Sequence, residues 1–380
     1  MSDITRRTFS KKLAGGVAGG VLTTAFGASA KKSGRELQKD KLGVALVGLG
    51  SYSTYQLAPA LQQTAFCHLA GIVTGTPSKR SKWQQKYNID SSHVYSYETF
   101  DQIAEDDAVD IVYVVLPNSM HAEFSIRAAE AGKHVICEKP MAMSVAECDA
   151  IIGACKSAGV KLSVGYRLQS EPYTQEIQRL VRENVMGNIN FVSADAAYIS
   201  RGNPDQWRLN KALSGGGALM NMGVYSIQSC IYSCGKNPTA VSAQEFSTRP
   251  GYFRDTDETI TAQFDFQGTT MGHMMTSHNA NVNRLYGSGD KGWFELNPAN
   301  NYGPLSGSTS EGPLSFPHES QQKLQMDDFA KHILTGSPNL APGEMGRRDM
   351  VIVEAIYRSI REGGRRIALD LPERYGIVDR

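Results

Sequence analysis

Residues 42–53, LGVALVGLGSYS, decide the fold of this chain. The apolar run at residues 42–47 is typical of a buried β-strand, and apolar residues with helical spacing follow the two glycines. Gly48 and Gly50 permit a tight turn and let backbone N–H groups approach a phosphate at the positive end of a helix. Strand, glycine turn and helix together predict the start of a parallel, doubly wound sheet.

The alternation of strands and helices continues to about residue 164 and then changes. Apolar strands are predicted at residues 68–74, 110–116, 134–137 and 161–164, with helices at 119–131 and 145–158. Beyond Gly165, a helix at 173–183 precedes alternating runs that predict antiparallel strands at 190–199, 240–247, 259–266 and 270–277. A long loop is expected at 297–312, and late helices are expected at 321–334 and 344–362.

These patterns predict an α/β fold. Residues 41–164 are expected to form a Rossmann domain with a doubly wound parallel sheet. Residues 165–380 are expected to form an α+β domain for substrate binding and oligomerisation, with a large, mostly antiparallel open sheet. The late helices are candidates to pack back on the first domain.

Composition narrows the class of ligand. The 380 residues carry 39 basic and 38 acidic side chains, a net charge of +1, so there is no broad basic footprint for nucleic acid. Small-molecule chemistry is favoured. The six cysteines are scattered, without a Cys-x-x-Cys pair or a His-associated spacing, so we predict no metal site and buried free thiols.

The first 30 residues resemble a twin-arginine export signal. Arg6 and Arg7 precede Phe9 and Lys11, then a mildly apolar stretch ends in Ala28-Ser29-Ala30, and residues 31–40 form a polar linker. A disordered basic tail is the alternative. We therefore expect the export machinery as a partner, a periplasmic location after export of the folded chain, and no membrane anchor in the mature form.

The glycine turn departs from the usual dinucleotide pattern in two ways. Ser53 stands in place of the third glycine, and no acidic residue ends the second strand to bind a ribose 2′-hydroxyl. Thr74, Lys79 and Arg80 stand there instead and suit a 2′-phosphate, so NADP is favoured over NAD. The alternative is that Lys79 and Arg80 are ordinary solvated residues.

Three further segments carry the chemistry: LPNSMH at 116–121, EKP at 138–140 and GGGALMNMGVY at 215–225. With GYR at 165–167 and WRL at 207–209, they resemble the glucose–fructose oxidoreductase/inositol dehydrogenase family over nearly all of the mature chain. The resemblance is closest to the glucose–fructose and aldose–aldose oxidoreductase members, which bind NADP very tightly.

That resemblance implies roles for particular residues. Lys139, Tyr225 and Asn221 would be catalytic, with Tyr225 exchanging the substrate proton once a nearby cation lowers its pKa. Asn221 stands where the family usually has aspartate. Tyr166, Lys139, Asn221 and Tyr225 would contact substrate. The expected cofactor-binding residues are Gly48, Gly50, Ser51, Tyr52, Ser53, Thr74, Lys79, Arg80, Leu116, Asn118, His121, Glu138, Lys139, Arg167, Trp207, Arg208 and Tyr302.

Export adds an argument about the reaction. Outside the cytoplasm no pool of free NADP regenerates, so the cofactor must be reloaded in place. The expected cycle is ping-pong: an aldose is oxidised at C1 to its lactone, and a second sugar is reduced to a polyol. Alternatives are an exported NAD-dependent glycosidase, a simple sugar dehydrogenase and a non-enzymatic sugar-binding protein. A homo-oligomer, either dimer or tetramer, is also expected.

Overall fold

A computed structural model describes residues 39–372 of the chain. The export signal predicted at residues 1–30, and nearly all of the linker at 31–40, lie outside the described residues. The rest contains a six-stranded and a nine-stranded sheet. This arrangement confirms the predicted fold class of a doubly wound parallel sheet followed by an α+β region.

The first sheet is parallel throughout, in the order β3-β2-β1-β4-β5-β6. Strand β1 is buried along its whole length, as its unbroken apolar sequence requires when helices cover both faces. The strands are β1 (Leu42–Val47), β2 (Cys67–Val73), β3 (Val94–Tyr95), β4 (Ile111–Val114), β5 (His134–Cys137) and β6 (Leu162–Val164).

The connections between these strands are helical. After the glycine turn, a π-helical turn (Ser53–Leu57) leads into α1 (Ala58–Leu61). The other helices of this region are α2 (Pro77–Tyr87), α3 (His121–Glu130) and α4 (Val145–Ala158). Ser144 caps α4 by accepting a hydrogen bond from the N–H of Glu147, and Gly159 ends this helix in the left-handed conformation.

The second sheet has the order β14-β13-β12-β11-β7-β10-β9-β8-β15. Only the β7–β10 pair is parallel; the other pairs are antiparallel. Its strands are β7 (Ile189–Ala197), β8 (Pro238–Phe246), β9 (Thr259–Phe266), β10 (Met271–Ser277), β11 (Val282–Gly289), β12 (Trp293–Leu296), β13 (Gly307–Thr309), β14 (Gly312–Leu314) and β15 (Ile367–Ala368).

Helices cover one face of this sheet. The helices in this part of the chain are α5 (Pro172–Arg182), α6 (Lys211–Ser214), α7 (Val224–Cys234), α8 (Gln321–Thr335) and α9 (Gly343–Arg361). Helix α7 is buried along its whole length, and the apolar side of α9 packs beside it in the same core. A π-helical turn (Leu219–Gly223) precedes α7.

The expectation of a long loop at residues 297–312 is wrong in part, because β13 lies within it. The alternation of apolar and polar residues does not predict strands β11 and β12. Gly287 of β11 weakens the pattern, but the structure requires a glycine there, because a Cβ would lie 2.1 Å from the buried ring of Phe294 in β12.

The end of the chain lies against the first sheet. Ser163 of β6 donates from Oγ to the carbonyl of Ala341 at 3.2 Å and bridges to Pro342, just before α9. A Cβ on Gly343 would lie 2.5 Å from Leu162. The division into domains at 41–164 and 165–380 therefore stays a prediction, since late residues complete the packing of β6.

Three further features bear on function. All six cysteines are buried free thiols. Between residues 39 and 372 no cluster of three or more His, Cys, Asp or Glu side chains could hold a metal ion. None of the helices described there is both long and apolar enough to span a bilayer.

Asp327 of α8 joins this late helix to the first sheet. Its buried carboxylate accepts hydrogen bonds from the N–H groups of Ala65 and Phe66, both at 2.8–2.9 Å, at the loop that enters β2. The carboxylate thus replaces the water that these backbone groups would otherwise bind.

We expect Asp327→Ala to lower the free energy of unfolding by about 2 kcal/mol, because two backbone donors lose a charged acceptor. Urea unfolding of the purified protein measures this. The neighbouring Asp328→Ala removes a partly exposed ion pair with Lys331 at 3.8 Å and should cost about 0.5 kcal/mol or less. Equal losses in the two variants would contradict the assignment.

Candidate active site

A large cavity lies where the parallel strands end. Its volume is about 870 Å³, within the range of cofactor and substrate sites. Residues that follow β1, β2, β4 and β5 line one side, because the carboxyl ends of parallel strands meet at one edge of a sheet. Predicted residues that line the cavity are Gly48, Gly50, Ser51, Tyr52, Thr74, Lys79, Leu116, Asn118, His121, Glu138, Lys139, Arg167, Trp207, Arg208, Asn221, Tyr225 and Tyr302.

The glycine turn is shaped by close packing. Gly48 has φ +96°, and a Cβ there would lie 2.5 Å from the carbonyl of Val115, so only glycine fits. A Cβ on Gly50 would meet nothing within 4 Å, which leaves the backbone on the cavity side open to a ligand. Ser53 is buried, and its Oγ donates to the carbonyl of Gly48 at 2.6 Å. It therefore stabilises the turn from behind and does not line the cavity.

The residues after β2 extend the cavity from this turn. Thr74 is buried, and Lys79 donates from Nζ to the carbonyl of Leu49 at 2.8 Å. Arg80 donates to the carbonyl of Thr74 at 3.3 Å and is not part of the cavity lining. A cradle of open backbone with a cation and hydroxyls beside it fits the phosphates of a dinucleotide.

Glu138 and Lys139 follow β5, and both titrate away from their usual ranges. Loss of hydration raises the pKa of the buried Glu138, although the hydroxyl of Tyr113 donates to its carboxylate at 2.7 Å. Loss of hydration at the cavity wall lowers the pKa of Lys139 to about 7, against the attraction of Glu138. Lys139 can therefore exchange a proton near neutral pH. The Lys139–Pro140 peptide bond is cis.

Lys139 reaches the turn before α7. Its Nζ donates to the backbone oxygen of Asn221 at 2.6 Å and lies 3.5 Å from that residue's Oδ1. The same ammonium lies over the ring face of Tyr225, 4.7 Å from the centroid. The three residues expected to be catalytic are thus brought together in one cavity.

The ionisation of Tyr225 is governed by burial more than by the nearby cation Arg167. Lys139 contacts the ring face and not the hydroxyl, and burial raises the pKa of Tyr225 even though Arg167 opposes the change. Tyr225 is therefore a neutral hydroxyl near pH 7. Lys139 is better suited than Tyr225 to take up a proton at that pH.

Arg167 lines the cavity and also holds a loop at its edge. Its guanidinium donates to the carbonyls of Asn300 and Asn301, at 2.6 and 3.0 Å, and to the side chain of Gln321. It lies between the rings of Tyr225 and Tyr302, 5.1 and 4.7 Å from their centroids. The arginine thereby fixes the loop at 300–302 over the site.

Glycine is required at 216 and 217 by close contacts with Tyr357 and Asp257. A Cβ on Gly217 would lie 2.0 Å from the carbonyl of Asp257, and one on Gly216 would lie 2.0 Å from the hydroxyl of Tyr357. The Asp257 carboxylate accepts from the N–H groups of Gly217 and Leu219, at 2.6 and 2.8 Å. These bonds position the turn that carries Asn221.

Two other expected ligands have structural roles. Tyr166 is buried, hydrogen-bonds to Asp349 and does not line the cavity, so its expected contact with substrate is wrong. His121 reaches the cavity, but both ring nitrogens lie 2.8 Å from carbonyl oxygens, those of Pro140 and Leu116. Its ring therefore joins the loops after β4 and β5.

Several of the expected cofactor-binding residues contact neighbouring residues around the cavity. Arg208 stacks on Trp207, with the guanidinium 4.4 Å from the ring centroid. Tyr302 stacks on Tyr52 at 5.8 Å, so the loop at 300–302 touches the first turn after the glycines. The Nδ2 of Asn118 donates to the carbonyl of Ser214 at 2.8 Å.

Two residues of the site are not predicted from the sequence. Tyr198 follows β7 and His278 follows β10, and both contact the amide of Asn221. A lone tyrosine and a lone histidine carry no motif. Each residue directly follows a strand that the alternating pattern predicts, and this position is the one indication that the sequence offers. Alternation does not predict that the two strands pair in parallel, which is what brings the two side chains together.

Two family models match most of the chain. Residues 42–166 match the oxidoreductase family with an NAD-binding Rossmann fold, and residues 174–295 match the GFO/IDH/MocA C-terminal domain. The two matched regions coincide with the parallel sheet and with most of the second sheet.

Relatives of known activity match over most of their length. The chain is 41% identical to the aldose-aldose oxidoreductase of Caulobacter crescentus, whose structure was solved with glycerol; the match covers 87% of this chain and 100% of that one, with a TM-score of 0.84. It is 28% identical to the NADP D-xylose 1-dehydrogenase of Haloarcula marismortui, over 83% of this chain and 90% of that protein. It is 27% identical to D-glucoside 3-dehydrogenase of Escherichia coli, over 67% and 78%.

The glycine turn and Lys139 lie in the first matched region, and most of the second sheet, with Asn221 and Tyr225, lies in the second. The chain therefore belongs to the GFO/IDH/MocA family and is an oxidoreductase with an NAD-binding Rossmann fold.

Proposed function

We propose that this protein is an NADP-dependent sugar oxidoreductase that keeps its cofactor bound. In the proposed cycle, an aldose is oxidised at C1 to its lactone, and a second sugar is then reduced to a polyol in the same site. The observation that carries the proposal is that one cavity holds both the open glycine turn and the Lys139–Asn221–Tyr225 cluster.

The sugar substrate is supported by the relatives. Aldoses are the substrates named for the oxidoreductase that is 41% identical over its whole length, and D-xylose is named for a second relative. The cavity wall also suits a polyhydroxy compound. It offers hydrogen-bonding groups from the side chains of Lys139, Asn221, Tyr198 and Tyr225.

NADP is supported by the residues after β2. Thr74 directly follows β2, where an NAD-preferring site would carry a carboxylate, and Lys79 lines the same cavity. The described residues that would hold the dinucleotide are Gly48, Gly50, Ser51, Tyr52, Thr74, Lys79, Leu116, Glu138 and Tyr302. When bound, NADP would accept a hydride, which is two electrons and one proton, from C1 of the first sugar and return it to the second.

Lys139 would hold and return the substrate proton. As a neutral amine it can take the proton of the C1 hydroxyl while the C1–H bond breaks, and as an ammonium it can give that proton to the carbonyl oxygen of the second sugar. The proton gained in one half-reaction is used in the other, so no external acid is consumed. Tyr225, neutral near pH 7, would orient the reacting oxygen through its hydroxyl.

Retention of the cofactor is supported by the loop at 300–302. The guanidinium of Arg167 holds two carbonyls of this loop, and Tyr302 stacks on Tyr52. Release of a nucleotide from beneath this loop would require these contacts to open.

The location, the partners and the domain division are further proposals. We infer that residues 1–30 direct the folded chain through the twin-arginine machinery to the periplasm, and that no membrane anchor remains. A retained cofactor agrees with such a location, since it needs no outside pool. Residues 41–164 and 165–380 would serve as cofactor and substrate domains.

We also propose a homo-oligomer. The face of the second sheet opposite α7 and α9 presents apolar side chains that are half-buried or exposed, among them Phe191, Met271 and Trp293. Such a face is typical of subunit contacts. Sedimentation of the purified protein as a monomer would oppose this.

A simple sugar dehydrogenase is the second candidate. The NADP D-xylose 1-dehydrogenase similarity favours it, because a dehydrogenase releases its reduced cofactor after each turnover. The two candidates differ in whether added NADP is needed.

The first experiment uses purified protein without added nucleotide. We expect a mixture of an aldose and a second sugar to give lactone, or its hydrolysis product, together with a polyol. Nucleotide released by denaturation and identified by mass spectrometry should be NADP in stoichiometric amount. Protein that contains no nucleotide and requires added NADP would instead be a simple dehydrogenase.

The pH dependence tests Lys139. Because its pKa is lowered to about 7, the rate of aldose oxidation should rise with pH through about 7, and the rate of sugar reduction should fall over the same range. Stopped-flow absorbance of the reduced nicotinamide in single turnovers follows each half-reaction.

Lys139→Met should slow both half-reactions by about 1,000-fold and abolish this pH dependence. The exposed Lys156→Met on α4 is the matched control and should behave like the wild type. A retained pH profile in Lys139→Met would refute the role of Lys139 in proton transfer.

Export is tested in the leader. Arg6→Lys with Arg7→Lys should hold the protein in the cytoplasm, since the arginine pair is the recognised feature. Cell fractionation with immunoblotting measures this. Lys31→Arg with Lys32→Arg in the linker is the matched control and should leave export intact. Export of the double-lysine variant at the wild-type level would contradict a twin-arginine signal.

A further inference from the structure

Tyr198 and His278 meet at one edge of the second sheet. Tyr198 directly follows β7 and His278 directly follows β10, and these strands are parallel neighbours with Ala197 opposite Ser277. Parallel strands end at the same edge, so the two side chains lie together, with ring centroids 4.9 Å apart. Both rings face Asn221 on the turn before α7.

The hydrogen bonds of Asn221 have a definite direction. Its Nδ2 lies 3.1 Å from the hydroxyl oxygen of Tyr198 and 3.0 Å from Nε2 of His278. Lys139 donates from Nζ to the backbone oxygen of Asn221 and lies 3.5 Å from its Oδ1, so the amide oxygen faces Lys139. Both amide hydrogens are then directed to Tyr198 and His278.

We propose that Asn221 sets the direction of hydrogen bonding in this group and makes Tyr198 a substrate-orienting residue. Because Tyr198 accepts from Asn221, its own hydroxyl hydrogen is available to an oxygen of the substrate in the cavity. Because His278 accepts at Nε2, it is the neutral tautomer with hydrogen on Nδ1. The substrate contact rests on the proposed function; the tautomer does not.

The surroundings of His278 agree with a neutral ring. The ring is fully buried and stacks on Phe253, with the ring centroids 6.2 Å apart. Within the part of the chain that the structure describes, its Nδ1 has no hydrogen-bond partner. Burial lowers the pKa of His278 to about 4. Charged groups around it belong to the β8–β9 region, the rim and β5: Asp257 favours the cation, while Arg208, Lys139 and Arg249 oppose it.

An aspartate at position 221 would reverse these bonds. A carboxylate only accepts, so Tyr198 would have to donate its hydroxyl hydrogen to it and His278 would have to carry hydrogen on Nε2. Tyr198 would then have no hydrogen for the substrate. Asparagine at this position therefore favours a substrate with an acceptor oxygen beside Tyr198.

The tautomer of His278 is the first test, and it does not depend on activity. Two-bond ¹H–¹⁵N correlations on histidine-labelled protein, assigned with His278→Gln, distinguish hydrogen on Nδ1 from hydrogen on Nε2. We expect Nδ1–H in the wild type, and Nε2–H with a raised pKa in Asn221→Asp. Hydrogen on Nε2 in the wild-type protein would overturn the proposal.

Kinetics are the second test. Tyr198→Phe should lower kcat/KM for the aldose by about 10-fold, as the loss of one hydrogen bond. In the Asn221→Asp background the same change should have little effect, because the hydroxyl hydrogen is already directed to the carboxylate. Tyr87→Phe, at the end of α2 outside the cavity lining, is the matched control and should leave kcat/KM unchanged.

The two tests separate this inference from the proposed function. If Tyr198→Phe has the same effect in both backgrounds, the direction of hydrogen bonding has no influence on the substrate and the inference fails. If His278 carries hydrogen on Nδ1 but no sugar is converted, the proposed function fails while the direction assigned to the Asn221 hydrogen bonds is retained.

Discussion

The hydrogen bond from Lys139 Nζ to the backbone oxygen of Asn221, 2.6 Å long, joins the edge of the parallel sheet to the turn that begins α7. The cavity exists because these two structures face each other. On one side the glycine turn leaves backbone open to a dinucleotide, and on the other the second sheet supplies Tyr198 and His278. A lysine at the end of β5 is long enough to span the gap between them.

The same enclosure determines which groups can exchange protons. Loss of hydration moves Glu138 and Lys139 toward their neutral forms and raises the pKa of Tyr225. A phenolate is therefore disfavoured where a catalytic base is needed, whereas an amine with a pKa of about 7 is available. The roles proposed for the lysine and the tyrosine follow from the loss of hydration around them.

Around this centre, several residues act through backbone contacts. Arg167 holds the carbonyls of Asn300 and Asn301, and Asp257 holds the N–H groups of Gly217 and Leu219. Such contacts fix the backbone of these two segments directly. Fixed loops keep Tyr302 and Asn221 in place relative to Lys139, and a fixed site lowers the entropy cost of orienting a substrate.

The sequence by itself determined the fold class, since an unbroken apolar strand before Gly48-x-Gly50 has few other packing solutions. It also identified Lys139, Asn221 and Tyr225, because motifs keep chemical groups at fixed places along the chain. Tertiary structure alone decided that Tyr166 pairs with Asp349, that Arg167 binds a loop, and that Tyr198 and His278 join the site. Burial, protonation and hydrogen-bond partners depend on residues distant in sequence, and only the packed sheets bring those residues together.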